Sequence, residues 1–206
     1  MVETIRFFRR NLPHWFVADQ PYFVTLRLKG TLPKTVVSEL AKERAELARR
    51  PDMDEARWTD LHRRHFAKIE AILDACDNKR QWLAKTEVAE LVLRNLAWLT
   101  EKRGWRIYAA TVMPTHLHLL MRNLEGRNGE LCEDLARYKS FTGERANDVL
   151  HRLGSFWARE DFDHWCRTPE KTQSVARYIC NNPVKAGLAG KWTDWPWTQC
   201  EEGFRP

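Results

Sequence analysis

The chain has 206 residues, with 34 Lys and Arg against 28 Asp and Glu, for a net charge of +6. A hydrophobic fraction of 43% with 10 Trp excludes a disordered chain, and a mean hydropathy of −0.59 without a long uncharged apolar run excludes a membrane-spanning helix. The basic excess suits a polyanionic partner and equally suits plain solubility, so charge alone does not choose between them.

The N-terminal stretch, residues 1–19, reads as a basic arm carrying Arg6, Arg9 and Arg10 among aromatic residues, without the apolar core of a signal peptide. Tyr22 to Leu28 is rich in β-formers and lies between Pro21 and Gly30, which predicts a first strand. Lys34 to about Arg50 places Val37, Leu40, Ala41 and Leu47 at helical spacing, and Pro51 breaks the run. A second helix is predicted over Asp54 to Cys76. A third covers Glu87 to Lys102, with an amphipathic stripe through Val88, Leu91, Val92, Leu96 and Leu99 and a stop at Gly104.

Trp105 to Met113 and His116 to Arg122 read as two strands separated by Pro114-Thr115, followed by a loop over 123–130 and a helix from Leu131 to Leu150. Phe156 to Trp165 is aromatic and β-like. Glu170 to Asn181 is a last helix stopped by Pro183, and the Trp- and Pro-rich tail from Lys191 to Pro206 packs as irregular structure. Strands separated by helices in this order predict an α+β fold, one antiparallel sheet with helices on one face. The five cysteines, Cys76, Cys132, Cys166, Cys180 and Cys200, are odd in number and widely spaced. That pattern argues against a zinc ribbon or disulfide framework and for reduced thiols in a cytoplasm.

Two patterns carry chemistry. His116-Leu117-His118 lies on a predicted strand, where alternation sends both imidazoles to one face. They can share a metal ion or can be two unrelated half-buried histidines. A third His at 120, as a histidine-triad hydrolase needs, is replaced by Leu120, and a metallo-β-lactamase pattern fails at Leu120 and Met121. Tyr178 and Asn182, four apart near the end of a helix, share a face if the helix reaches that far and would then present a phenol beside an amide. A core Tyr followed by a helix-terminating Asn-Pro fits the same residues.

Read jointly, Val112 to Leu120, Phe156 to Arg167, Tyr178 to Leu188 and Asp194 to Trp197 resemble the HUH single-tyrosine transposases, in particular the REP-associated tyrosine transposase branch of the IS200/IS605-like family. The resemblance spans residues from about 12 to 32 and 85 to 200 with four motifs in order. Residues 34–84 match less well and read as a helical insertion within a single domain over 1–206, with 191–206 as its C-terminal tail. It implies a ferredoxin- or RRM-like sheet, a divalent ion (Mg²⁺ or Mn²⁺) on His116, His118 and Asn182, and Tyr178 as nucleophile. The implied substrate is single-stranded DNA beside a hairpin, met by a monomer or homodimer in a bacterial, nucleoid-associated setting. Thr115 stands where the family usually has Asn. Tyr138 is a rival nucleophile in the segment where Lys139 and Phe141 are the typical features.

Candidate DNA contacts are Arg6, Arg9, Arg10, Lys139, Arg159, His164, Arg167 and Lys185, because phosphates are met chiefly by Arg and Lys. Trp157 and Trp165 are either base-stacking platforms or core, with core the preferred assignment. Two other functions fit parts of the pattern: a domesticated hairpin-DNA-binding protein without transposition activity, and an RRM-type RNA-binding sheet, which needs exposed aromatics on its central strands.

Overall fold

A computed structural model describes residues 4–9, 13–50, 52, 54–75, 80–126 and 130–206, with the backbone alone described at 4–9, 13–16, 55 and 62. The elements are β1 (Thr4–Arg9), β2 (Pro13–Val17), β3 (Tyr22–Arg27), α1 (Lys34–Leu47), α2 (Glu55–Asp74), α3 (Thr86–Arg94), α4 (Leu96–Arg103), β4 (Trp105–Val112), β5 (His116–Asn123), α5 (Leu131–Val149), β6 (Phe162–Trp165), α6 (Pro169–Lys185) and β7 (Thr198–Cys200). β1 and β2 form a separate antiparallel ribbon. The main sheet runs β6-β3-β5-β4-β7 with every pairing antiparallel, which is the α+β architecture expected.

Strand alternation divides the core in two. Val24, Leu26, Leu117, Leu119 and Met121 bury one face of the sheet against Val88 and Val92 of α3, Leu96 and Leu99 of α4, and Leu135 and Tyr138 of α5. Phe23, Ala109, Leu120 and Phe162 bury the other face against Val175, Ala176 and Ile179 of α6, with Phe66 of α2 packed on them. Helices therefore cover both faces, not one. Each of these strands carries apolar residues at both parities, and both sets need a partner.

α1 and α2 form an antiparallel pair, with Leu40 of α1 packed on Ile69 and Leu73 of α2. Lys68 to Glu39 and Arg64 to Glu43 lace their outer edge at 2.9 and 2.8 Å.

Three boundaries differ from expectation. The helix predicted from Glu87 to Lys102 is two helices meeting at Asn95, whose side-chain amide donates to the Leu91 carbonyl at 2.7 Å and so competes with the next helical turn. The strand predicted over Phe156 to Trp165 shrinks to Phe162–Trp165 plus a single bridge from Trp157 to Leu28, because Trp157 turns into the core, where its indole donates to Thr142. α6 does not stop before Pro183 but runs through it to Lys185. Proline removes only its own donor, and the helix closes beyond it through Ala186 N–H to the Asn182 carbonyl at 2.9 Å. Among the described residues no helix is long and apolar enough to cross a membrane.

Candidate metal centre beside a half-buried tyrosine

The site grows from one row of the sheet. Thr25 pairs with His118 and with Phe162, and Thr111 pairs with His118, so Phe162, Thr25, His118 and Thr111 share a face across four strands. His116 stands two residues back on the same face, and both histidines are fully buried.

Their outer nitrogens are held by hydroxyls: Thr25 Oγ1 lies 2.9 Å from His118 Nδ1, and Thr115 Oγ1 lies 2.9 Å from His116 Nδ1. Thr115 Oγ1 also donates to the Leu73 carbonyl at 3.3 Å. Its one hydrogen being used there, it accepts from His116 Nδ1–H, which leaves Nε2 of His116 with a free lone pair. Burial, with the neighbouring His118 charge, pushes His116 down to about 3, so it stays neutral and able to ligate at neutral pH.

The two Nε2 atoms lie 3.0 Å apart, and Glu70 Oε2 of α2 reaches His118 Nε2 at 3.0 Å. Glu70, His116 and His118 each offer a ligand atom, all within 4.8 Å of one another, and all three residues are buried. Burial works against ionisation of Glu70, but His118, His116 and the Tyr178 hydroxyl outweigh it and bring the carboxyl down to about 2. The Tyr178 hydroxyl donates to this same carboxylate. Burial and the negative charge of Glu70 push the phenol above its ordinary value, with Asp74 adding to the effect.

Polar atoms at this place are under-satisfied. Glu70 Oε1, Asp74 Oδ1 and both amide atoms of Asn182 are buried without a hydrogen-bond partner. Buried polar groups are normally paired. Two imidazoles, a carboxylate and spare oxygen atoms form a donor set that fits a divalent cation.

Asn182 lies one turn beyond Tyr178 on the same α6 face and is buried. Glu70 joins the two histidines as the third ligand-bearing residue of the cluster. Glu70 was missed in the sequence. It sits mid-helix in an Ile-Glu-Ala pattern with no motif around it, and the one available signal is a carboxylate on the buried side of α2, next to Ile69 and Leu73.

The rival phenol, Tyr138, lies under the opposite face of the sheet, fully sequestered, with its hydroxyl donated to the Val92 carbonyl at 2.7 Å. Lys139 is committed to Asp161 at 2.6 Å and to the Arg159 carbonyl at 3.2 Å, tying α5 to the 159–161 segment. Lys185 pairs with Asp74 at 2.6 Å and stands 5.8 Å from the Tyr178 ring centroid. Arg167 donates to Thr59 at 3.0 Å and lies over the Trp165 ring. His164 lines a cavity together with Tyr178, whereas Arg159 lines a separate cleft of about 850 Å³ with Arg27, Lys29, Lys34 and Arg44. Of the arm, Arg6 and Arg9 lie on β1 with only their backbone described, and Arg10 lies outside the described residues. Trp157 is buried and hydrogen-bonded, a core residue.

No protein-family model and no curated protein matches the chain. A solved structure described as the REP-associated tyrosine transposase bound to a REP hairpin is similar over 93% of this chain and 80% of that one, with a TM-score of 0.55 and 17% sequence identity. The buried His-His-Glu cluster resembles an HUH motif. The chain therefore has the fold of that REP-associated tyrosine transposase.

Proposed function

We propose that this protein is a metal-dependent single-stranded DNA endonuclease and strand transferase acting at DNA hairpins. The observation that carries the reading is the Tyr178 hydroxyl hydrogen-bonded to a carboxylate that also belongs to the Glu70–His116–His118 cluster. The hairpin-bound solved neighbour supports the substrate class. Tyr178 Oη attacks the scissile phosphorus, its proton passes to Glu70, and the O3′–P bond breaks. The products are a 5′-phosphotyrosine and a strand ending in a 3′-OH, which takes a proton from water. Reversal by an incoming 3′-OH rejoins strands, so one transfer is split into two steps. A bound divalent ion, Mg²⁺ or Mn²⁺, supplies Lewis-acid polarisation of the scissile phosphate and positive charge that offsets Glu70.

The chain residues divide the remaining work. His116 and His118, held by Thr115 and Thr25, would hold the ion together with Glu70, and Asn182 would add an oxygen from α6. Residues 34–84 are an insertion within one domain whose α2 brings Glu70 to the site. Arg6, Arg9, Arg10, Arg159, His164, Arg167 and Lys185 are the candidate phosphate contacts.

The test is a labelled hairpin oligonucleotide incubated with Mn²⁺. Wild-type protein forms a covalent adduct that survives denaturing gel electrophoresis, Tyr178→Phe forms none, and Tyr138→Phe retains it. An adduct persisting in Tyr178→Phe overturns the assignment. Tight hairpin binding without an adduct under any divalent metal leaves a hairpin-binding protein without transposition chemistry.

A further inference from the structure

Arg27, the last residue of β3, pairs across the sheet with His116 of β5, just as Thr25 pairs with His118. Residues directly opposite one another in an antiparallel pair point to the same face, so the Arg27 side chain leaves the sheet on the face that carries the histidines. It lines the cleft of about 850 Å³, whose wall also holds Thr25, the hydroxyl partner of His118, and Ile69, the neighbour of Glu70 on α2. One end of the cleft therefore lies beside the metal cluster, and α1 forms its other wall.

Arg44 of α1 lines the same cleft. Burial lowers the pKa of both Arg27 and Arg44, and neither guanidinium has a hydrogen-bonded acceptor or an ion-pair partner among the described residues. Sheltered charges are normally paired. Two carboxylates share the cleft. Asp161 is bonded to Lys139. Glu160 attracts both guanidiniums through space, yet its Oε2 is buried without a hydrogen-bond partner. With Asp161 so committed, Glu160 faces Arg27, Lys29, Lys34, Arg44 and Arg159, and the cleft keeps an excess of positive charge.

Two sheltered guanidiniums beside an excess of positive charge match a phosphate. Each presents a planar fork of N–H donors to its oxygens, and the anion supplies the countercharge that both lack. A neutral base or sugar would leave that charge uncompensated.

We infer that this cleft seats one backbone phosphate of the DNA strand, held by Arg27 and Arg44, close along the strand to the phosphate that Tyr178 attacks. The grip fixes where the scissile phosphate lies relative to His116 and His118. The inference rests on the single-stranded DNA reading and gives that strand a path, between α1 and the end of β3. It also gives the helical insertion a second task, since α1 supplies half of the grip.

The experiment uses the full chain with Mn²⁺ and DNA hairpins with a single-stranded tail, in which each tail phosphate in turn is replaced by an uncharged methylphosphonate. In the wild type, replacement at one position lowers affinity and the rate of adduct formation on the order of tenfold, the cost of losing hydrogen bonds between charged groups. In Arg27→Gln and Arg44→Gln the same replacement adds little to the effect of the mutation, because the partner is already gone. Stability tells a DNA contact from a structural one. Removing a sheltered guanidinium that has no partner does not weaken the fold, so the urea midpoint of DNA-free Arg27→Gln stays at or above that of the wild type.

A phosphate scan with the same profile in the wild type and both variants overturns the seat. So does a fall in urea midpoint shared by Arg27→Gln and Glu160→Gln with the scan unchanged, which makes the cluster a structural ion pair. Failure of the seat is separable from failure of the transferase reading. An adduct through Tyr178 with no tail position coupled to Arg27 or Arg44 sinks the seat alone, whereas coupling in affinity at one tail phosphate without any adduct sinks the chemistry alone.

Discussion

Thr115 shows how one hydroxyl can decide what a histidine does. By donating to Leu73 and accepting from His116 Nδ1, it holds the imidazole in the tautomer with a lone pair on Nε2. Thr115→Val preserves shape and removes the acceptor. Its Mn²⁺ affinity, measured by calorimetry, falls about 10- to 100-fold, the usual cost of losing the hydrogen-bond partner of a metal-bound histidine. Glu70 has a separate signature in pH. Its folded value, about 2, lies below its ordinary value of 4.5. The stability it contributes in the metal-free protein is therefore complete above pH 4.5 and is lost as pH falls towards 2. The difference in unfolding free energy between wild type and Glu70→Gln shrinks as pH falls across that window. A difference constant across the window contradicts the paired carboxylate.

At the scale of elements, α6 and α2 make the site, and α5 anchors what lies behind it. α6 carries Tyr178 and Asn182 on one face only because the helix continues through Pro183. A helix ending at Asn181, as the sequence suggests, would turn the Asn182 side chain away from that face. Behind the sheet, Asp134 of α5 is buried and accepts from Arg103 of α4 at 2.5 Å and from the Trp105 indole of β4 at 2.7 Å. Asp134→Ala leaves a fully buried indole N–H without its acceptor and the Arg103 guanidinium with Glu130 alone. It destabilises the protein by about 3 kcal/mol in urea unfolding, while the Tyr178 adduct still forms at temperatures where the variant is folded.

Across the whole molecule, the +6 charge has a location. The cleft lined by Arg27, Lys29, Lys34, Arg44 and Arg159, with Glu160 and Asp161 also in its wall, contains residues of β3 and α2, as does the cavity beside Tyr178, and in both the cationic side chains outnumber the acidic ones. Binding that rests on several phosphate contacts releases counterions. Hairpin affinity accordingly drops on the order of a hundredfold as salt rises from about 50 to 200 mM, and Arg44→Glu reduces the slope of that dependence. Affinity indifferent to salt argues against a DNA backbone in either place.

The parts of this protein legible in its sequence are those set by local periodicity. A strand repeats every two residues, so His116 and His118 had to share a face; a helix repeats every 3.6, so Tyr178 and Asn182 had to lie together once the helix reached them. Their combination with the flanking motifs was enough to point to the fold. The helix break at Asn95 and the short β6 were not legible, because each turns on a side chain that finds a partner elsewhere. Glu70 lies 108 residues from Tyr178, and Thr25 lies 93 residues from His118. Contacts at such separations follow from strand register and from how α2 packs on the sheet, and no short window of sequence contains them. The sequence by itself determined that His116 and His118 stand together on one strand face, and that Tyr178 and Asn182 do so wherever the helix runs on to Asn182. Tertiary packing alone decided that the two pairs meet over one carboxylate, since only burial of both apolar sheet faces brings α2 and α6 onto the same side.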